Sequence, residues 1–459
     1  MDQGHRNTGV ADARGRHTLR NIARRLATAF LSGPWHQRTL MARGDGALGT
    51  GGRWLADLTF DVVQKHREPP SAGQLEALIL HHRAFVDACE SGFLPFSLLN
   101  PNATDEAPAP LWPVQPLASL SDLVTWLGIA DSTTSSAENL LRWFADTKGL
   151  ERVGKEERLR HYWSHWVERG PRLPRLLEAP KPRLKALQRK VLDDILNHIP
   201  PHPAAHGFVR GRSVATHAEQ HVRRELVIRF DLEAFFTTVS TFRAHAVFRA
   251  AGYPEKVSSV LLGLCTTRTP NAVLRAAPYP EPFTSEDSVR RFNLLQRLGD
   301  WHLPQGAPTS PALANLAAFG LDSRLHAFAC QYGLTYSRYA DDLVFSGDDT
   351  RSVGALTNFV AMAVSEEGFR LNRAKTRVMR QHQRQLVTGV VVNQRPAVAR
   401  ADYDALKARL HRLATKGVGD AEPGLRAHLL GQLAWVGRFS TSRARKLEAL
   451  FSRIAWPSR

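Results

Sequence analysis

The chain is poor in cysteine: Cys89, Cys265 and Cys330 are the only three in 459 residues, and no two form a Cys-x-x-Cys pair. That excludes a disulfide-stapled secreted domain and a thiolate zinc site. Long apolar runs are also missing, and the polar, Arg-rich N-terminus lacks the apolar core of a signal peptide. A cytoplasmic protein with no membrane partner is the expectation. Acidic side chains are in deficit, with 43 Asp+Glu against 61 Lys+Arg and a net charge of +18. Such an excess concentrates polyanions around a protein and favours a nucleic-acid partner over a merely solubilising surface. The apolar share of 43% suffices for the cores of two or three domains.

No internal repeat or low-complexity tract organises the chain. Residues 1 to 48 mix Arg, Gly and Ala, and a basic amphipathic helix fits Leu19–Leu31. Gly46–Gly52 and the Pro95–Pro116 stretch read as linkers. Apolar spacing predicts helices within 53–92, at 120–128, 136–147, 185–198, 241–251, 255–265, 310–332 and 352–367, and two or three more over 401–456. Strands are predicted at Leu173–Glu178, Val227–Asp231 and Leu386–Asn393, with a hairpin at Tyr336–Phe345. Residues 276–300 read as a polar insertion without a period. The mixture predicts an α+β fold, not a doubly wound sheet.

Two adjacent carboxylates lie at the tip of that hairpin, in Tyr339-Ala340-Asp341-Asp342. They repel each other, so something must neutralise them, and a divalent metal with oxygen ligands is the natural candidate. Asp231 supplies a third carboxylate at the end of an apolar strand, where the neighbouring Leu232 could offer a backbone carbonyl, and Phe235-Phe236 follow. Three such carboxylates suit two-metal nucleotidyl transfer, in which two cations hold an attacking 3′ or 2′ oxygen and a leaving pyrophosphate in line. Between them runs Leu303-Pro304-Gln305-Gly306-Ala307-Pro308-Thr309-Ser310-Pro311. Gly306 permits close backbone approach to a flat ligand, and the helix that follows presents free N–H groups to an anion.

In this order the segments resemble the palm motifs of reverse transcriptases. The resemblance implies that Asp231, Asp341 and Asp342, with Leu232, bind two Mg²⁺ ions, and that Phe236 excludes a 2′-hydroxyl and so selects deoxynucleotides. It assigns Gln305 and Gly306 to the incoming nucleotide or template, and Lys375 to the pyrophosphate. Glu178–Gln188 and Ala205–Ser213 resemble the fingers segments of retron enzymes, whose clustered Lys181, Arg183, Lys185, Arg210 and Arg212 suit triphosphate and template phosphates. Val387-Thr388-Gly389 matches a retron hallmark. His217-Ala218-Glu219-Gln220-His221 is similar to a second, Asn-Ala-x-x-His, with His217 where asparagine is expected. The i, i+4 histidine pairs His217/His221 and His161/His165 have no third ligand nearby, so zinc is not expected. Core packing or base stacking is expected of His161–Trp166.

What the resemblance implies overall is a right-hand polymerase. A basic, mostly helical extension with linkers (1–116) precedes fingers (117–230), a palm with an antiparallel sheet that also carries part of the fingers (231–399, with an insertion near 276–300) and a helical thumb (400–459). Its partners would be dNTPs, a cognate structured noncoding RNA and the RNA–DNA product. Contacts to RNA would fall to His217, Ala218, His221, Val387, Thr388, Gly389, Arg443, Arg445 and Lys446. The product would be branched RNA-linked single-stranded DNA, begun from an internal guanosine 2′-hydroxyl, in a system of antiphage defence whose effector is separately encoded. Other bacterial reverse transcriptases (group II intron, diversity-generating, abortive-infection) are the nearest alternatives. A non-catalytic RNA-binding component of a defence complex is the alternative from another class.

Overall fold

Pro69-Pro70 cannot sit inside a helix, and they break the apolar pattern of residues 53–92. The structure, a computed structural model, accordingly has three helices there: Arg53–Lys65, Ala72–His81 and Arg83–Glu90. It describes residues 20, 22–24, 26–31, 35–48, 53–90, 112–129, 134–147, 149–151, 156–170, 172–280, 283–348, 353–418 and 424–456. Ser71 starts the second helix with a capping box to Gln74. Together with helical residues within 20–31 and the helix Gln37–Leu48, these segments enclose a core of Leu26, Phe30, Leu40, Leu55, Leu58, Leu75 and Phe85. Gly46–Leu48, expected to open a linker, instead ends a helix. The rest of that linker, and Pro95–Leu111 of the second, lie outside the described residues.

The chain divides into two compact units, residues 1–200 with 236–317 and residues 201–235 with 318–459. In the first, strand β1 (Tyr162–Arg169) pairs antiparallel with β2 (Arg172–Pro180). The His161–Trp166 segment is therefore largely a strand, and the i, i+4 spacing of His161 and His165 has no helical meaning. Glu178 is buried in this unit, accepting from Thr269 Oγ1 at 2.7 Å and meeting His302 Nε2 at 2.8 Å. Residues 276–300 are not irregular: Thr284 and Asp287 form a capping box that opens the helix Ser285–Gly299. Its Val289 and Phe292 are exposed, which is why no buried stripe appears in the sequence. The expected helix 310–332 is two, Ser310–Ala317 and Phe319–Gln331.

In the second unit a four-stranded antiparallel sheet has the order β4-β5-β3-β6, with β3 Leu226–Asp231, β4 Thr335–Tyr339, β5 Asp342–Gly347 and β6 Arg377–Arg380. The expected continuous strand Leu386–Asn393 is bent into a hairpin, β7 (Leu386–Val387) and β8 (Val390–Val391). Thr388 (φ +46°) and Gly389 (φ +82°) form its left-handed turn. Ala218, Val227, Val344, Val387, Val390 and Val392 pack together as one core. Helices Arg400–Lys416, Leu425–Phe439 and Thr441–Phe451 share a separate core of Leu406, Leu410, Leu429, Leu433 and Leu447. Helices with antiparallel sheets are the α+β mixture expected. Among the described residues, no helix is long and apolar enough to cross a membrane.

Candidate active site

Strand register brings the aspartates together. Asp231 at the end of β3 lies directly opposite Asp342 at the start of β5. Tyr339 of β4 also pairs with Asp342, so Ala340-Asp341 is a two-residue turn. The Leu232 N–H donates to the Asp341 carbonyl at 2.9 Å, joining that turn to the segment after β3. Ala340 takes φ +56°, a left-handed conformation that costs a non-glycine residue about 1–2 kcal/mol. The surroundings impose it. Arg338, fully buried, donates from Nη1 to the Ala340 carbonyl at 3.0 Å. Its Nε and Nη2 grip Asp322 at 2.8 and 2.7 Å, and Tyr336 Oη donates to the same carboxylate at 2.8 Å. On the other side a Cβ on Gly207 would stand 2.5 Å from the Ala340 nitrogen, so only glycine lets these backbones approach.

Among the described residues, Lys375 and Arg229 bring positive charge to the carboxylates. Lys375 Nζ lies 3.0 Å from both Asp231 oxygens. Arg229 Nε donates to Asp342 Oδ1 at 2.9 Å. Arg229 and Asp231 are two apart on β3 and so share a face. Burial raises the Asp342 carboxyl above its ordinary range; Arg229 opposes this, and the charges of Asp341 and Asp231 add to it. Among the described residues no three His, Cys, Asp or Glu side chains form a ready-made metal cluster. The donor chemistry still fits a hard divalent ion: carboxylate oxygens only, beside a Lys375 side chain that is 43% exposed.

Residues 168–392, which hold all three aspartates, match the family of reverse transcriptases, the RNA-dependent DNA polymerases. The chain is 41% identical over 298 residues to the retron Mx65 reverse transcriptase of Myxococcus xanthus, covering 63% of this chain and 64% of the relative. It is 37% identical over 317 residues to the retron Mx162 reverse transcriptase of the same species, covering 65% and 60%. With the retron Ec86 reverse transcriptase of Escherichia coli the figures are 29% over 289 residues, 62% and 79%. Over residues 168–392 the chain is similar to reverse transcriptases, and the relatives that it resembles there are retron enzymes. It spans less than two thirds of the length of the two Myxococcus relatives. Domains of this family imply the fingers, palm and thumb fold and generally use divalent metal ions.

The remaining expected residues fall in varied surroundings. Phe236 is half-buried in the short helix Phe235–Thr238. Gly306 (φ +142°) does make a close backbone approach, but to the protein's own strand: a Cβ there would lie 2.8 Å from the Glu178 carbonyl, and the Glu178 N–H donates to Gln305 O at 3.0 Å. Arg183 is exposed, its guanidinium 5.3 Å from the Phe144 ring. Arg443 lies over Tyr403 at 5.0 Å, and Arg445 and Lys446 are exposed. His217, Ala218, His221 and Val387, expected at the RNA, are fully buried. Of the two hallmark segments' expected contacts, Gly389 is exposed and Thr388 half-buried. Beside Tyr339 lies an open cavity of about 480 Å³, lined also by Arg212, Val214, Ala215, Trp435 and Arg438.

Sequence reasoning missed Arg229, Arg338 with Asp322, and Gly207. A signal existed for the arginines, since each is a charged residue inside an apolar strand that needs a partner. Gly207 had none beyond its place in the Ala205–Ser213 segment.

Proposed function

We propose that the protein is an RNA-directed DNA polymerase that binds its own structured noncoding RNA and copies part of it into single-stranded DNA joined to that RNA. The observation that carries this reading is the pairing of Asp231 with Asp342 across β3 and β5, with Asp341 in the adjoining turn. The relatives are named as retron reverse transcriptases; on that resemblance the proposed product is RNA-linked DNA begun from an internal guanosine 2′-hydroxyl, with a part in antiphage defence beside a separately encoded effector.

Asp231, Asp341 and Asp342, with the Leu232 carbonyl, would hold two Mg²⁺ ions. Bound there, Mg²⁺ would supply Lewis acidity at the attacking hydroxyl and charge neutralisation at the leaving pyrophosphate. Arg229 favours the ionised form of Asp342 against its burial. Lys375, once released from Asp231, offers its ammonium to the departing phosphates. Phe236 would filter the sugar, and Gln305, Gly306 and Arg183 would contact the nucleotide or template. The extension, fingers, palm and thumb would follow the boundaries 1–116, 117–230, 231–399 and 400–459. RNA contact would fall to Thr388 and Gly389 and to Arg443, Arg445 and Lys446. The cavity beside Tyr339 suits one strand, with phosphates on Arg212 and Arg438 and a sugar or base against the Trp435 ring.

Co-expression with the transcribed DNA flanking its gene tests the reading. The expected product is DNA whose gel mobility shifts on RNase treatment. Asp341→Ala and Asp342→Ala should abolish the DNA while RNA still co-purifies. Undiminished DNA synthesis by either variant would sink the assignment.

A further inference from the structure

We propose that His217 is a positioning residue for the aspartate hairpin, tying the Val387–Gly389 turn to Tyr339 and to strands β4 and β5 through a buried chain of side chains. The inference rests on reading that hairpin as catalytic.

The links are short. His217, fully buried on the helix Val214–Glu219, pairs through Nδ1 with Thr388 Oγ1 at 2.9 Å. Its ring lies 5.7 Å from that of Tyr339 at an interplanar angle of 38°, and Tyr339 immediately precedes the Ala340-Asp341 turn. Its other neighbours are His206, at 5.5 Å, and His221, edge-on at 5.6 Å. His221 in turn pairs with Ser337 Oγ on β4 at 2.7 Å and Ser346 Oγ on β5 at 2.8 Å. It clamps the two strands whose facing ends are Tyr339 and Asp342.

Two further observations give the Thr388 contact its weight. Thr388 is β-branched yet holds φ +46°, a conformation such residues rarely adopt, so its neighbours must hold it there. His217 also depends on that contact. Burial above all, then His206, pushes it down to about 3, so the ring is neutral near pH 7. A neutral ring that accepts the Thr388 hydroxyl at Nδ1 carries its proton on Nε2. The Ser337 carbonyl favours that proton, but Nε2 makes no hydrogen bond of good geometry. The Thr388 hydroxyl therefore sets the angle of the ring against Tyr339, and small displacements next to reacting groups are felt in rate. An asparagine at 217 could make the same bond from a shorter arm.

The test uses the full chain with oligo(dT)·poly(rA), dTTP and Mg²⁺, together with hydrogen exchange of the metal-free protein. Thr388→Val keeps the branched shape and removes only the hydroxyl. It is expected to lower kcat about tenfold with KM for dTTP within about twofold, an effect on the order of one well-placed hydrogen bond. Exchange of the amides over Tyr339–Phe345 should quicken about fivefold, on the same order, while the helix Leu425–Phe439 is unchanged. His217→Ala should behave alike, the double variant should be no worse than His217→Ala, and His217→Asn should recover most of the rate. Wild-type exchange and wild-type kcat in both single variants would overturn the proposal. A wild-type protein that incorporates no dTTP would overturn the polymerase reading instead, and the exchange result would still decide whether His217 holds the hairpin.

Discussion

Among the described residues, Asp231 is held by the ammonium of Lys375, 3.0 Å from each of its oxygens. A divalent cation at Asp231 would have to displace or share that contact, so Lys375 would compete with it. Lys375→Met is expected to tighten Mn²⁺ binding by about tenfold, or roughly 1.4 kcal/mol, and to slow turnover. A titration following the Mn²⁺ spin signal checks it; unchanged affinity would show that the pair does not compete. Gly207 makes a second residue-level case. A methyl group there would meet the Ala340 nitrogen at 2.5 Å, and backbone cannot yield as a flexible side chain does. Gly207→Ala should lower stability by about 1–3 kcal/mol, read from urea unfolding, and should cost activity because the displaced atoms belong to the aspartate turn. Arg229 explains why single residues are hard to assign from sequence. Its partner Asp342 is 113 positions away, and nothing marks the pair until β5 is laid beside β3.

At the scale of elements, the hairpin and β3 were legible because apolar runs ending in carboxylates are rare and have few structural uses. The Val387–Gly389 turn was not. Val-Thr-Gly-Val lacks the Asn-Gly or Asp-Gly signal of a tight hairpin, so it reads as continuous strand. Strand β1 was hidden because the i, i+4 spacing of His161 and His165 imitates one face of a helix, and the helix Ser285–Gly299 by the exposure of Val289 and Phe292. The histidines joining these elements carry a pH consequence. Burial pushes His217 down to about 3 and His206 down to about 4, and His221 lies well below the ordinary histidine range. The unfolded chain therefore binds protons below about pH 6.5 that the folded chain refuses. Stability supported by the neutral rings is complete above that pH and is lost as pH falls towards 3. Each histidine contributes a slope of up to about 1.4 kcal/mol per pH unit. His217→Asn should flatten the dependence, measured by urea unfolding at pH 7 and pH 4.5. An unaltered slope would mean that the buried ring at 217 is not what the protein loses in acid.

For the whole molecule, the net charge of +18 pointed to a polyanionic partner before any motif was considered. The α+β class followed from alternating helical and strand patterns. What the sequence could not convey is how the hallmark histidines act. They read as recognition residues, and the fold buries them, His217 beside the Tyr339 ring and His221 against Ser337 and Ser346. The central claim is that Asp231, Asp341 and Asp342 make this an RNA-directed DNA polymerase. The most direct test is incorporation of labelled dTTP on oligo(dT)·poly(rA) by purified protein in Mg²⁺, beside Asp342→Asn, an equal-sized side chain without the charge. The account predicts chain extension by the wild type, none with chelator and none by the variant. Extension by Asp342→Asn at the wild-type rate would contradict it.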